Sequence, residues 1–221
     1  MTRPPRIALI HALRHSIAPV EAAFARLWPE ATRVNLLDDS LSADLARDGR
    51  LTPAMSERFL ALSRYARSCG ADGILFTCSA FGPCIEACAR EFAPMPVLKP
   101  NEAMITEAVE AAGENGRVGL LASFAPTLQS MPAEFAAAAS HVAVTPCLAD
   151  GALAALDRGD ATGHDAAAAS AATKLASCDV VALAQFSLAR AADAVHRATG
   201  RPVLTTPDSA VRRLQALLCA A

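Results

Sequence analysis

The sequence of 221 residues has few aromatic residues and no excess of either charge. Phenylalanine, tyrosine and tryptophan make up 5% of the chain, and 20 basic residues stand against 22 acidic ones, for a formal net charge of −2. Proteins that bind nucleic acid or an anionic membrane surface usually carry a basic patch or excess. We therefore expect neither nucleic acid nor a membrane as a partner, and a small molecule instead.

The chain also lacks long hydrophobic runs, although hydrophobic residues make up 53% of it. Alanine supplies much of that fraction, and polar residues interrupt every apolar segment before the length of about 20 residues that a membrane-spanning helix needs. The opening residues, MTRPPRIALIHAL, contain an apolar stretch shorter than that of a signal peptide. The sequence therefore predicts a cytoplasmic protein.

The cysteines lack the spacing of a metal site or a disulfide framework. Seven is an odd number, no two cysteines form a CxxC pair, and no His-x-x-x-His segment lies near any of them in the sequence. We expect no zinc site and no disulfide framework, and we expect most of the thiols in the core, where cysteine acts as a small apolar residue. The cysteines are Cys69, Cys78, Cys84, Cys88, Cys147, Cys178 and Cys219.

What the chain does contain is an alternation of short β-branched runs and longer amphipathic, alanine-rich segments, the pattern of βα units around a parallel sheet. This pattern predicts eight strands. They are Arg6–His11, Arg33–Leu37, Gly73–Thr77, Pro96–Lys99, Arg117–Ala122, Val142–Pro146, Val180–Ala184 and Pro202–Thr206.

The first four predicted strands align with the last four at nearly constant offsets. RIALIHA from Arg6 matches RVGLLAS at an offset of 111, and VNLLDDS from Val34 matches VAVTPCL at 108. GILFTCSAFGPCIEACAR from Gly73 aligns with VVALAQFSLARAADAVHR without a gap at 107, and PVLKP from Pro96 with PVLTT at 106. A repeat of this length indicates a duplicated α/β domain.

The duplication predicts an α/β fold of two similar flavodoxin-like domains, each with a four-stranded parallel sheet, related by a pseudo-two-fold axis. We expect residues 1–100 with 207–221 in the first domain and residues 101–206 in the second. Ligands of open parallel sheets bind beyond the carboxyl ends of the strands, near helix N-termini. The active site is therefore expected in a cleft between the two domains.

Cys78 and Ser79 follow the third predicted strand, on a turn that leads into a helix. Gly82 permits a tight turn and Pro83 suits the first helical position. A helix N-terminus would lower the pKa of the Cys78 thiol and bind a carboxylate through backbone N–H groups. We expect Cys78 to be catalytic and Ser79 to bind substrate, whereas Cys84 and Cys88, within the helix, are interpreted as packing residues.

In the second half the ungapped alignment places Gln185 opposite Cys78. An amide can donate and accept hydrogen bonds but cannot act as a base near neutral pH. The first half thus has a thiol at the position where the second half has an amide. Ser187, two positions later, is predicted either to cap the following helix or to contact substrate.

Other polar residues lie where the first strand of each half ends and after the second strand of the first half. His11 is either a proton shuttle and carboxylate ligand or a buried histidine with satisfied hydrogen bonds. Ser123 and Thr127, in the matching loop, are candidates for carboxylate binding or for helix capping. Asp38 and Asp39 are interpreted as members of a hydrogen-bonded turn.

These motifs, FTCSAFGP, RVGLLASFAPT and VVALAQFSLAR in this order, resemble the aspartate/glutamate/hydantoin racemase superfamily, which includes arylmalonate decarboxylases and maleate isomerases. The resemblance implies two α/β domains with the active site between them and no metal or organic cofactor. It implies a cysteine from each half on opposite faces of a carbon next to a carboxylate or carbonyl, one removing a proton and the other delivering one.

Gln185 departs from that pattern, because it replaces the second cysteine. A single thiol suffices for a decarboxylase, which protonates an enediolate from one face, or for a cis–trans isomerase with a nucleophilic thiolate. The arylmalonate decarboxylases that this chain resembles also use one thiol, but their cysteine belongs to the second half, so that this chain would have the mirror arrangement.

We therefore expect a racemase or isomerase of this superfamily that acts on a small carboxylic acid such as an amino acid or hydantoin, through Cys78. The alternatives are a one-thiol decarboxylase of a malonate-type acid and a carboxylate-binding protein without turnover. A cysteine hydrolase is a further alternative that needs His11 or His15 as a base beside Cys78. Phe81, Phe124 and Phe186 are expected to surround the substrate side chain, and a homo-oligomer is left open.

Overall fold

The computed structural model describes residues 3–219, which form eight strands connected by helices, ten of them α-helices. The strands are β1 (Arg6–His11), β2 (Thr32–Leu37), β3 (Gly73–Phe76), β4 (Val97–Leu98), β5 (Arg117–Ala122), β6 (Ala143–Leu148), β7 (Val180–Leu183) and β8 (Val203–Thr205). The helices are α1 (Ile17–Leu27), α2 (Ser40–Asp48), α3 (Pro53–Ser68), α4 (Gly82–Phe92), α5 (Glu102–Ala112), α6 (Ala125–Ala138), α7 (Ala152–Asp157), α8 (Ala161–Ala172), α9 (Ala192–Thr199) and α10 (Thr206–Cys219). Short 3₁₀ turns occur at Arg14–Ser16, Ser79–Phe81, Thr173–Leu175 and Phe186–Ala191.

The strands form two four-stranded sheets of the same topology. One has the order β2-β1-β3-β4 and the other β6-β5-β7-β8, and all six pairings are parallel. The central strands are almost entirely buried, as expected where helices cover both faces of a parallel sheet, whereas β2 and β6 lie at edges and are largely exposed or half-buried. The predicted fold of two four-stranded parallel sheets is confirmed.

Strand register confirms three of the four sequence offsets and corrects the fourth. Ile7 pairs with Gly73 and its counterpart Val118 with Val180, which reproduces the offset between β3 and β7. Arg6, however, pairs with Thr32 and Arg117 with Ala143, so that β6 corresponds to β2 at the same offset as β5 to β1, three positions away from the sequence alignment. The sequence alignment of these strands relied on apolar residues at an edge strand. Exposure weakens the apolar pattern that fixes register there.

The chain divides into two compact units. Unit 1 comprises Met1–Pro100 with Ala210–Ala221, and unit 2 comprises Asn101–Ser209. The core of unit 1 lies between its sheet and α3 and α4, and includes Ile10, Phe59 and Ile85. In unit 2 one apolar cluster contains Leu120 and a second contains Leu121, neighbours whose side chains point to opposite faces of β5.

Within the described residues, none of the helices combines the length and the apolar character that crossing a bilayer requires.

Candidate active site

Cys78 lies at the carboxyl edge of the sheet of unit 1, just beyond the end of β3. Its backbone is extended, with φ −130° and ψ 116°, and the 3₁₀ turn Ser79–Phe81 separates it from α4. The thiol and Ser79 are half-buried. Phe81 anchors the turn, because its buried ring lies 4.9 Å from the ring of Phe59.

The Cys78 thiol has a raised pKa, contrary to the lowered pKa that its position before a helix predicts. Burial raises the pKa of Cys78 to about 11, and a hydrogen bond with the backbone of Ala80 opposes this only in part. The 3₁₀ turn accounts for the difference, since it stands between Cys78 and the start of α4 and the effect of a helix terminus is confined to its first turn. Cys78 therefore holds its proton at neutral pH.

The neighbouring cysteines of the same segment are core residues, as predicted. Cys84 and Cys88 are fully buried in the apolar core of unit 1, and the Cys84 sulfur lies 3.3 Å from the Ser56 hydroxyl. Within residues 3–219 no three histidine, cysteine or acidic side chains are grouped so as to hold a metal ion.

His11 lies at the end of β1, fully buried, with a partner for each ring nitrogen. Its Nδ1 is 2.9 Å from the Thr77 hydroxyl and its Nε2 is 2.8 Å from the Asn35 side-chain oxygen. Burial lowers the pKa of His11, and the bond to Asn35 and the charge of Glu21 oppose this shift only in part. The geometry therefore favours a neutral histidine with satisfied hydrogen bonds over a ligand for a carboxylate. A cysteine hydrolase would need one of the two ring nitrogens as a base for Cys78, but Thr77 and Asn35 occupy both.

The acidic residues after β2 stabilise a turn, as the sequence indicated. Asp38 accepts hydrogen bonds from the Ser40 hydroxyl at 2.6 Å and from the Arg58 guanidinium, which also binds Asp44. Burial raises the pKa of Asp38, but the bonds from Ser40 and Arg58 outweigh it and the pKa is lowered. Arg14 forms an ion pair with Asp39.

In unit 2, Gln185 occupies the position after β7 and binds Ser123. The Gln185 Oε1 accepts hydrogen bonds from the Ser123 backbone N–H at 2.6 Å and from its hydroxyl at 3.1 Å. These two bonds occupy the Gln185 Oε1 with a partner from the protein itself. The Nε2 group of Gln185 is then the part of the amide that can donate to a ligand.

The helix-capping alternatives for the polar side chains of the second unit are wrong. Phe124 occupies the N-cap position of α6 and Ala191 that of α9, and neither helix has a side-chain cap. Thr127 lies inside α6 and Ser187 inside the 3₁₀ turn Phe186–Ala191, and both are largely buried. Their predicted contact with substrate stays a prediction, as does that of Ser79 and Ser123.

Exposed apolar side chains recur at matching places in the two units. Leu13 and Phe124 lie at equivalent positions just beyond β1 and β5, and Leu37 and Leu148 are the last residues of β2 and β6. All four are between 36% and 45% exposed. Phe81 and Phe186, which the sequence assigned with Phe124 to the substrate pocket, are at most 2% exposed and belong to the packing instead.

Sequence reasoning missed three residues that connect to the site, namely Thr77, Asn35 and Glu21. Asn35 links His11 to Glu21, whose carboxylate lies 2.8 Å from the Asn35 amide nitrogen. The available signal was a polar asparagine within the apolar segment RVNLL, which only strand pairing connects to His11.

The comparisons with known proteins agree with this architecture. The model of the Asp/Glu/Hydantoin racemase family matches residues 18–214. The chain belongs to the Asp/Glu/hydantoin racemase family. No curated relative matches it in sequence.

Solved structures of the same fold include racemases and a decarboxylase. Glutamate racemase from Bacillus anthracis is 12% identical, with 99% of this chain and 83% of that chain covered and a TM-score of 0.74. Allantoin racemase from Klebsiella pneumoniae is 19% identical, with 98% and 88% covered and a TM-score of 0.74. Unliganded arylmalonate decarboxylase is 18% identical, with 96% and 92% covered and a TM-score of 0.62.

Proposed function

We propose that this racemase-family chain is a cofactor-independent enzyme in which the Cys78 thiol transfers a proton at the carbon next to the carboxylate of a small acid. One observation carries the proposal. At the sheet edge where ligands of parallel sheets bind, Cys78 has a pKa of about 11 and so carries a proton at neutral pH. A thiol in this state is a proton donor rather than a base.

The reaction that such a donor fits best is the decarboxylation of a malonate-type acid. The bond between the α-carbon and one carboxylate breaks, CO₂ leaves, and the electron pair remains on an enediolate. The Cys78 S–H then gives its proton to the α-carbon, and the thiolate regains a proton from water. One donor on one face of the carbon completes this cycle.

The negative charge of the enediolate is stabilised by hydrogen-bond donors that the folded protein holds in position before the reaction begins. Ser79 and the backbone N–H groups of the turn after Cys78 are the donors we propose in unit 1. In unit 2 we propose the Gln185 Nε2 group with the hydroxyls of Thr127 and Ser187, while Ser123 holds the Gln185 amide in place. The Ser123 bond supports this role for Gln185, because it orients the amide nitrogen away from Ser123.

A racemase or isomerase is the second candidate, favoured by the family to which the chain belongs and by the glutamate and allantoin racemases of similar fold. Racemisation needs a base on one face of the carbon and an acid on the other. Gln185 cannot supply a base near neutral pH, and Cys78 is protonated. This route therefore needs a substrate that itself promotes thiolate formation.

The substrate that we propose carries an apolar substituent on the α-carbon. Leu13 and Leu37 in unit 1, and Phe124 and Leu148 in unit 2, expose apolar surface at the strand ends, where a second charged group of an amino diacid would need cationic partners. Arylmalonates and alkylmalonates have this character.

The test is conversion of a substrate panel in D₂O, followed by NMR and chiral chromatography. The panel contains aryl- and alkylmalonates, both enantiomers of glutamate, and allantoin. We expect a malonate to yield its monoacid with one deuterium on the α-carbon and, from a disubstituted malonate, one enantiomer. Cys78→Ala should lower kcat at least about 10²-fold, the usual contribution of a positioned acid.

Cys84→Ala is the matched control, since Cys84 is a core residue of the same segment, and it should retain turnover. Equal turnover by wild type and Cys78→Ala would contradict the proposal. Racemisation of glutamate or allantoin without decarboxylation of any malonate would identify the second candidate. Tight malonate binding without turnover would identify a carboxylate-binding protein.

A further inference from the structure

A chain of hydrogen bonds runs from the surface of unit 1 to the residue before Cys78. The Glu21 carboxylate on α1 accepts from Arg33 Nε and from the Asn35 amide, both at 2.8 Å. Asn35 on β2 contacts the Nε2 of His11 at 2.8 Å, and the Nδ1 of His11 lies 2.9 Å from the Thr77 hydroxyl. We call Glu21, Asn35, His11 and Thr77 the Glu21 chain.

Every hydrogen bond of the Glu21 chain has one direction. A carboxylate only accepts, so the Asn35 amide must turn its NH₂ group toward Glu21 and its oxygen toward His11. The His11 Nε2 must then carry the hydrogen, which leaves Nδ1 to accept from the Thr77 hydroxyl. Burial lowers the pKa of His11 and so favours the neutral ring that this arrangement requires.

The fold itself does not require this chain, because unit 2 forms the same sheet without it. Strand register identifies the counterparts, which are Ala122 for His11, Pro146 for Asn35 and Ala184 for Thr77. None of these three side chains can form a hydrogen bond. The chain therefore occurs beside the thiol and is missing beside its counterpart, Gln185.

We propose that Glu21 is a positioning residue for Cys78, acting through Asn35, His11 and Thr77. Glu21 fixes the His11 tautomer, His11 fixes the rotation of the Thr77 hydroxyl, and the Thr77 backbone carries Cys78 at the strand end. The inference rests on the proposed role of Cys78 in proton transfer. Misplacement of a reacting group by about 1 Å can cost about 10²-fold in rate, so such support has a measurable effect.

The decisive substitution is Glu21→Gln, which keeps the size of the side chain but can present either oxygen or NH₂ to Asn35. The Asn35 amide is then free to turn over, and His11 can move its hydrogen to Nδ1. Long-range ¹H–¹⁵N correlation spectra of protein labelled in histidine report the tautomer directly. We expect almost purely Nε2–H in wild type and comparable amounts of both tautomers in Glu21→Gln.

The consequence for Cys78 is measured in two ways. In Glu21→Gln, kcat should fall about tenfold with KM within about twofold of wild type, since substrate binding is untouched but the donor is misplaced. The rate of Cys78 alkylation at pH 9 should change by about threefold or more, a readout that needs no substrate. Glu30→Gln is the control, because Glu30 is exposed and lies outside the Glu21 chain, and it should match wild type.

An Nδ1–H tautomer in wild type would overturn the inference. So would a Glu21→Gln protein with wild-type tautomer, alkylation rate and kcat, or one in which the tautomer changes and Cys78 does not respond. If wild type converts no substrate, the proposed function fails, while the tautomer and alkylation measurements still decide the role of Glu21.

Discussion

At the scale of single residues, Cys78 differs from Cys84 and Cys88 in the accessibility of its thiol rather than in its chemistry. Burial raises the pKa of Cys88 as well as that of Cys78. Cys88, however, is enclosed in the core of unit 1, whereas Cys78 is half-buried at the end of β3. Access combined with a retained proton supports the proposed role of Cys78 as a proton donor.

The raised pKa of Cys78 predicts slow alkylation at neutral pH. Only the thiolate reacts, so the rate of modification by iodoacetamide should rise about tenfold per pH unit up to a pKa of about 11. Mass spectrometry of the peptide that contains Cys78 measures this rate, and Cys78→Ala provides the blank. A plateau near pH 8 would show that the thiolate is already available at neutral pH and would favour a base over a donor.

The sequence located Cys78 and Gln185 because both lie in an ungapped repeat, where spacing along the chain carries the information. It could not locate the partners of His11. Asn35 and Thr77 are both remote from His11 along the chain, and strand pairing alone brings them together. The pKa of Cys78 was missed for a similar reason, since the short 3₁₀ turn before α4 is not recognisable from composition.

At the scale of elements, all eight strands lie where alternation of apolar runs and turn signals predicts them, and one register does not. The prediction succeeded best for central strands, whose burial on both faces demands continuous apolar residues. It failed at the edge strand β6, where Pro146 and exposed positions leave little pattern to align.

Two glycines in central strands allow a test of how tightly helices and turns pack on each sheet. A Cβ at Gly119 in β5 would lie 3.0 Å from the Cβ of Leu175, which cannot swing away, and close to both of its methyl groups. A Cβ at Gly73 in β3 would meet Leu214 and Leu218 at 3.2 and 3.3 Å, but only at the ends of their flexible side chains.

We therefore expect Gly119→Ala to lower the free energy of unfolding by about 1–3 kcal/mol, as overpacking usually does. Gly73→Ala should cost less than about 1 kcal/mol, since alanine also restricts the unfolded chain. Urea titrations followed by circular dichroism measure both values. The reverse order of the two variants would contradict this account of the packing.

At the scale of the whole molecule, unit 1 includes a helix that follows unit 2 in the sequence. The helix α10 begins at Thr206, whose hydroxyl donates to the Leu183 carbonyl in unit 2 at 2.6 Å, and from Ala210 onward it belongs to unit 1. There Leu214 is fully buried and packs on Gly73 of β3, the strand that carries Cys78 at its end. The sequence predicted that the C-terminal residues return to the first domain, but only the structure identifies the strand that they cover.

Leu214→Ala should therefore destabilise the protein, although Leu214 lies 141 positions after Gly73 of the strand that it covers. Loss of a fully buried leucine costs about 2–5 kcal/mol, depending on how far the cavity collapses. Arg213→Ala, at the exposed position just before it, should stay within about 0.5 kcal/mol of wild type. Thermal and urea denaturation compare the two, and an equal loss in both variants would argue against the role of Leu214.

The late return of α10 has a consequence for synthesis on the ribosome. Unit 2 is a continuous stretch of chain, so its four strands and their helices are all available before translation reaches Ala210. Unit 1 contributes the first strand to be made but receives the helix over β3 last. The strand that leads to Cys78 is therefore made well before the helix that covers it, and it stays without that helix while all of unit 2 is synthesised.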